Sequence, residues 1–436
     1  MQELFETKKL KITDIKFRED LYPRIEHNQQ RAQDYAKNLE KLPPIEINQY
    51  NELIDGKHRL TAHLLNELEE IDCIITETKN EAEFFALAIR RNALHGVSFN
   101  ERDRRKSAIK LYNGGIGFSK IEISETLSVS MRMINSYLGD IDKQIREDRK
   151  ETIRKLYLRC HTAQEIADVV GIEKRDVERQ IVTLCDNSED TSNMTQTAHF
   201  QDNFKPPIYN IWSYGKTTNE TEHHGQTEQQ IVENLIYLYT DPFDIVVDPF
   251  GGGGSTLDVC EKRQRRCWIS DRKPKAGLED KIRLLDITKA SDNFPKLNNR
   301  WSEVSLTYLD PPYWKQAENK YSSDPEDLAN YPDSNDFHIA IAKIINGIAK
   351  KQSKGAIALI IQPTQWKSEN KKFIDHVFEI TKLIKVKNLI LENRVSCPYS
   401  TEQYLPQMVS WAKENKKLLV LTRELIIWRF HDCSIA

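Results

Sequence analysis

The sequence predicts a multidomain α/β chain, and three observations carry that prediction. Apolar, β-branched residues 245–247 run into Asp248 and four glycines, and a helix pattern resumes at Ser255. Such a strand, glycine turn and helix start belong to a Rossmann-like unit, where the turn lets a ligand approach the backbone and the helix start offers unpaired N–H groups. Residues 100–184 show apolar positions at helical spacing, and one stretch repeats itself 43 positions on. Residues 186–203 are rich in Asp, Asn, Ser, Thr and Gln, the composition of a linker. The expected domains are an α+β module at 1–98, a helix-turn-helix region at 99–185, a linker at 186–203 and the Rossmann-like domain at 204–436.

In the first module, residues 8–16 alternate polar and apolar like an edge strand, 30–42 read as a helix, and 45–47 and 52–54 as short strands. Asp55 Gly56 Lys57 His58 Arg59 Leu60 Thr61 Ala62 then form a turn that enters a helix. This stretch resembles the nucleotide-handling motif of ParB and sulfiredoxin-like domains, and Arg90 Arg91 Asn92 resemble the second nucleotide box of ParB proteins. The resemblance implies a nucleoside triphosphate held by Gly56, His58, Arg59, Arg91 and Asn92, with the phosphates at the helix start. No cysteine lies beside the motif, which favours a binding module over sulfiredoxin-type catalysis. An ordinary polar helix start is the plain alternative.

The repeat pairs residues 119–130 with 162–173. Each copy has Ser or Thr, a Glu three positions later and a turn before Val129 or Ile172, which spells helix-turn-helix. The recognition helices are expected at 130–138 and 173–184, with Arg132, Asn135, Lys174 and Arg175 as candidate contacts to double-stranded DNA. Glu173, Asp176 and Glu178 make the second copy more acidic. ParB-like proteins also place a helical DNA-binding region after the nucleotide module.

Within the last domain, no Lys follows Gly254, so the glycines are not a phosphate-binding P-loop, and Thr256 stands where a dinucleotide fingerprint has its third glycine. Twenty positions after Gly251, Asp271 ends an apolar segment where a carboxylate meets ribose hydroxyls. The ligand read from these residues is an adenosine without a pyrophosphate. A further strand at 304–309 runs into Asp310 Pro311 Pro312 Tyr313. Together with Asp248 Pro249 Phe250 Gly251 Gly252 Gly253, that motif resembles the S-adenosylmethionine-dependent DNA amino-methyltransferases, over roughly 205–430.

The resemblance implies S-adenosylmethionine as cofactor and Asp310, Pro311, Pro312 and Tyr313 as catalytic residues. It places cofactor contacts at Asp248, Pro249, Phe250, Gly251, Gly253, Thr256, Asp271 and Asp286, and at Thr227 in the segment that meets the methionine end. That segment has Glu228 and Gln229 in place of the usual Lys and Pro. In most enzymes with this glycine motif the Asp-Pro-Pro-Tyr comes earlier in the chain; here it comes later, and circular permutation leaves such a site intact. Residues 314–337 read as a mobile loop over the site, 356–361 as the next strand, and 418–430 as two strands of a closing hairpin.

The net charge of −3 over 436 residues gives no global pull toward nucleic acid, so DNA contacts rest on local patches. The seven cysteines form no C-x-x-C pair and read as core residues of a reducing compartment. No apolar run suits a membrane span and the first residues form no signal pattern, so a cytoplasmic location is expected. His223 and His224 lack a Cys or acidic partner, and no metal site is expected. Adenine N6 is the favoured target. Cytosine N4, RNA, and a regulatory DNA-binding protein with an inactive methyltransferase part stay open, as does a homodimer.

Overall fold

The computed structural model describes residues 7–25, 28–94, 99–113, 117–189, 200, 204–214, 228–289, 297, 299–316, 323–399 and 404–431. His223, His224 and Thr227 lie outside them, as do residues 190–199 and 201–203 of the expected linker. The chain forms two compact units, Met1–Asp148 and Arg149–Ala436.

The first unit holds strands β1 (Thr7–Lys11), β2 (Ile45–Ile47), β3 (Leu53–Asp55) and β4 (Glu70–Ile75) in the order β1-β4-β2-β3. β2 and β4 are parallel and the other pairs antiparallel. The expected edge strand stops at Lys11, because Ile12 turns inward through a 3-10 turn to join Ile45, Ile47, Leu53 and Ile71 in a small core. Helix α1 (Gln29–Ala36) is capped by Asn28 and ends short of the expected residue 42. A 3-10 turn at Leu39–Lys41 follows, since Pro43 and Pro44 disfavour helix in the residues before them. Helix α2 (Lys57–Leu65) starts from Gly56 at φ 107°, where a Cβ would fall 2.7 Å from Ile45 Cγ2. Helices α3 (Glu81–Leu94), α4 (Glu101–Asn113), α5 (Lys120–Leu127) and α6 (Met131–Leu158) share a core built from Phe84, Phe85, Ile89, Leu111, Ile123 and Leu138.

Both helix-turn-helix copies form. Ser119 with Glu122 and Thr162 with Glu165 make reciprocal capping boxes for α5 and for α7 (Ala163–Val170). Ser128 and Gly171 end those helices in the left-handed conformation. The recognition helix expected to stop at 138 runs on as α6 to Leu158, because neither a proline nor a left-handed residue interrupts it. The second recognition helix is α8 (Lys174–Glu189).

In the second unit the α7–α8 copy is joined to the seven-stranded sheet through residues 159 and 160. Cys160, itself left-handed, is buried with Ile245, Val247, Trp268 and Val304. Arg159 pairs with Glu261 at 2.7 Å, while Arg283 and Arg300 donate to the carbonyls of Arg159 and Cys160. The sheet contains β5 (Ile245–Asp248), β6 (Arg266–Asp271), β7 (Arg283–Leu284), β8 (Val304–Leu309), β9 (Ala356–Ile361), β10 (Leu389–Pro398) and β11 (Thr422–Phe430), in the order β10-β11-β9-β8-β5-β6-β7.

β7, β6, β5, β8 and β9 are parallel, and β11 is antiparallel to both of its neighbours. One face carries Val246, Leu306, Ala358 and Leu425 under α9 (Gln229–Tyr239) and α10 (Ser255–Lys262). The other carries Leu309, Ile357, Leu359 and Ile426 under α11 (Ser334–Ala349) and α12 (His376–Lys382). Burial on both faces explains why these strands read as unbroken apolar runs.

This is the expected multidomain α/β class, with a Rossmann-like unit whose strand order reverses between β5 and β8. The strands follow one another from β5 without permutation, so the late position of Asp310 is the direct consequence of its place at the end of β8. Two further expectations are corrected. Residues 418–421 form no strand, and the closing hairpin joins β11 to β10 with α13 (Pro406–Glu414) between them. Residues 323–337 are held rather than loose: Leu328 and Ala329 are buried in a 3-10 turn, and the Trp314 indole donates to the Tyr331 carbonyl at 2.8 Å. Their polar composition masks two buried apolar anchors.

Candidate active site

The glycine turn is fixed by close packing. Gly251 donates its N–H to the Ser270 carbonyl at 2.8 Å, and a Cβ on it would lie 2.1 Å from Ile269 Cγ2, so only glycine lets β5 and β6 meet there. Asp248, at the end of β5, is buried and accepts from Thr256 Oγ1 at 2.6 Å and from the Phe250 N–H at 2.9 Å. Burial pushes its carboxyl up to about 7, against those two hydrogen bonds, and the charges of Asp310 and Asp271 push the same way. Pro249 is buried, while Phe250 and Gly253 are half-buried in the turn.

Asp271 ends β6 and accepts from the N–H groups of Gly252 at 2.9 Å and Lys273 at 2.7 Å. Its second lone pairs leave room for hydroxyl donors, since an ionised carboxylate has about four acceptor positions. Asp286 is engaged by the Thr288 hydroxyl at 2.5 Å and by Arg272 at 3.4 Å. Arg272 also pairs with Asp324 and Asp327, which straps residues 323–331 to the end of β6.

Across the switch point, Asp310 directly follows β8 and accepts from the Tyr313 hydroxyl at 3.2 Å and the Tyr308 hydroxyl at 3.4 Å. Burial and the Asp310 charge push the Tyr313 phenol well up, so it stays a donor. Pro311 is buried and Pro312 half-buried. The carboxyl ends of β5, β6 and β8 thus gather three acidic side chains beside a glycine turn, a setting that suits a ligand carrying positive charge.

The DNA-contact candidates are exposed. Arg132 and Asn135 lie on the first turns of α6, with Asn135 accepting from Lys120 at 3.1 Å. On α8, Arg175 is exposed and Lys174 pairs with Glu178 at 3.4 Å.

In the first unit a cavity of about 500 Å³ opens over the α2 start and is lined by Tyr22, Arg31, Glu46, Gly56, Lys57 and His58, among others. Arg59, Arg91 and Asn92 also border it but are committed to its walls. Arg59 pairs with Asp55 at 2.6 Å and donates to the Pro43 and Pro44 carbonyls, and Arg91 pairs with Glu46 at 2.8 Å. Asn92 accepts from Arg24 at 3.2 Å and donates to the Ala88 carbonyl at 2.8 Å.

Residues 136–287 match the DNA methylase family model. The methylase match takes in the second helix-turn-helix copy, the glycine turn and Asp271, and ends ahead of Asp310. No curated protein matches. One similar solved structure is the C-terminally truncated chromosome-partitioning protein ParB from Caulobacter crescentus complexed to the centromeric parS site, at 13% identity and TM-score 0.25, covering 39% of this chain and 97% of that one. An rRNA methylase from Streptococcus thermophilus matches at 12% identity and TM-score 0.29, covering 48% of this chain and 98% of that one. An S-adenosylmethionine-dependent methyltransferase from Clostridium acetobutylicum ATCC 824 matches at 10% identity and TM-score 0.29, covering 47% and 93%.

Sequence reasoning missed a cluster at the same edge of the sheet. Arg423, at the start of β11, is buried and pairs with Glu228 at 2.5 Å, beside Tyr399 and Gln362. Its signal was present: Arg423 and Glu424 are adjacent charges directly ahead of the apolar run Leu425–Trp428. Among the described residues no cluster of His, Cys, Asp or Glu is arranged to hold a metal ion, and no helix is long and apolar enough to cross a membrane.

Proposed function

We propose that the second unit transfers a methyl group from S-adenosylmethionine to an exocyclic amine of a base in double-stranded DNA, with adenine N6 as the target. The observation that carries this is the pairing of Tyr313 with Asp310 at the end of β8, one strand from the Gly251 turn. The cofactor, when bound, supplies an activated methyl group on a good leaving group. The acidic side chains of Asp271 and Asp310 fit its positive charge, and Asp271 fits its ribose hydroxyls.

The chain's own work is then alignment. Asp310 and the Pro311 carbonyl accept from the amine and turn its lone pair toward the donor, while Tyr313 offers an aromatic face to an unstacked base. Asp in front of the two prolines favours adenine over cytosine. Nucleoside analysis of DNA and of RNA, each incubated with the protein and labelled S-adenosylmethionine, tests this: labelled N6-methyladenine in DNA is expected. Labelled N4-methylcytosine would move the target, and label found only in RNA would replace DNA.

The first unit is proposed to hold a nucleoside triphosphate in the cavity at the α2 start, where helix N–H groups meet Lys57 and His58. A ligand that binds only the folded state raises its melting temperature. ATP, CTP or GTP should raise that of the wild type and not that of His58→Ala; no shift with any of them removes the nucleotide. The helix-turn-helix copies are proposed to bring the enzyme to its DNA, with Arg132 and Asn135 as the contacts.

A further inference from the structure

β11 runs against its neighbours, so its first residues reach the carboxyl end of β9, where Glu424 sits opposite Ile361. Arg423 arrives there with 4% of its surface exposed. Its Nη2 lies 2.5 Å from Glu228 Oε2, at the N-cap of α9, and its Cζ stands 4.5 Å from the centre of the Tyr399 ring. The Tyr399 hydroxyl in turn donates to Gln362 Oε1 at 3.1 Å. Burial works against the Arg423 charge, yet the Glu228 carboxylate beside it favours the charged guanidinium.

Arg423 Nε is shielded from solvent and has no hydrogen-bond partner among the described residues. A buried ion pair with a donor unmet is a poor way to stabilise a sheet, because an apolar residue of similar size would cost less. Packing alone therefore does not account for Arg423. Its place does: Tyr399 presents its ring to the guanidinium at the carboxyl end of β9, one strand from the end of β8, where Tyr313 hydrogen-bonds Asp310.

We propose that Arg423 is a positioning residue of the acceptor pocket, setting Tyr399 as an aromatic wall one strand from Asp310 and tying it to α9 through Glu228. This rests on the methyl-transfer function above. Lysine keeps the charge at this position but not the planar stack on Tyr399.

The test uses the full chain and its Arg423→Met and Arg423→Lys variants. Single-turnover methylation at saturating DNA, KM for DNA, calorimetric affinity for S-adenosylmethionine and melting temperature are measured together. Arg423→Met is expected to lose at least about tenfold in single-turnover rate while keeping cofactor affinity within about threefold, as for a group that orients the reacting base rather than binding the donor. Arg423→Lys should melt near the wild type and still be slowed, which keeps the test decisive if the Met variant does not fold. An active wild type whose Arg423→Lys variant methylates at the same rate overturns the proposal, as does a loss of cofactor affinity equal to the loss of rate. A wild type that transfers no methyl group overturns the methyl-transfer function itself, and this proposal with it.

Discussion

Thr256 Oγ1 donates to Asp248 Oδ2 across 2.6 Å in the buried floor of the glycine turn. The Asp248 carboxyl is nevertheless raised from 3.8 to about 7, because burial outweighs the two hydrogen bonds it accepts. Between those values the folded chain binds a proton that the unfolded chain has released. Its contribution is thus full below the unfolded value and is lost as pH rises through the folded one, by up to about 1.4 kcal/mol per pH unit. Asp248→Asn should be relatively more stable at pH 8 than at pH 5, compared with the wild type in urea unfolding. Parallel curves for the two proteins would show that Asp248 is already ionised when folded.

A buried pair in the same unit has the opposite sign. His376 meets His338 at 2.8 Å and the Thr364 hydroxyl at 2.9 Å, and burial, then His338, lowers it from 6.5 to about 3. Here the unfolded chain binds the extra proton. Stability is therefore present above 6.5 and lost as pH falls toward 3, again by up to about 1.4 kcal/mol per unit. His376→Gln should flatten the acid limb of an unfolding profile taken from pH 7 to pH 4. An unchanged limb would place the acid sensitivity elsewhere.

Gly251→Ala places a methyl group 2.1 Å from Ile269 Cγ2. Overpacking of this kind costs roughly 1–3 kcal/mol and should also weaken cofactor binding, since the turn must open. The partner change Ile269→Ala removes the obstructing methyl. The double variant should then lose less stability than the two single variants added together, as measured by denaturant unfolding. Strict additivity would mean that the two residues do not share this contact.

Asp310→Ala and Asp271→Ala should fail differently. Loss of a positioned acceptor at a reacting centre costs at least about a hundredfold in rate, on the order of 3 kcal/mol, with little change in cofactor affinity. Asp271→Ala should instead weaken S-adenosylmethionine binding in calorimetry and release the Gly252 N–H it now accepts. Near wild-type turnover in Asp310→Ala would show that no active site lies at the end of β8.

The sequence made most of the second unit legible because its strands are buried on both faces and its two motifs sit at strand ends. Asp248, Gly251, Asp271 and Asp310 each stand directly at or after an apolar strand run, which places them on one edge of the sheet. What stayed hidden depended on contacts between distant segments. Arg423 meets Glu228 across nearly two hundred residues, and the closing partner of β11 is β10 rather than its own upstream segment. Residues 323–337 were obscured for another reason: Leu328 and Ala329, two small anchors in polar surroundings, give no periodic signal. In the first unit, the α2 start was visible as a turn before a helix, but the commitment of Arg59 to Asp55 and two proline carbonyls was not.

The reversed strand β11 also sets an order of events during synthesis. The glycine turn and Asp310 leave the ribosome well before Thr422–Phe430, yet β9 cannot be covered on its outer side until β11 slots in beside it. Until then the growing chain exposes an apolar strand edge, the kind of surface that pairs with other chains. Translation that stalls between β10 and β11 should therefore yield aggregates rather than a partly working enzyme.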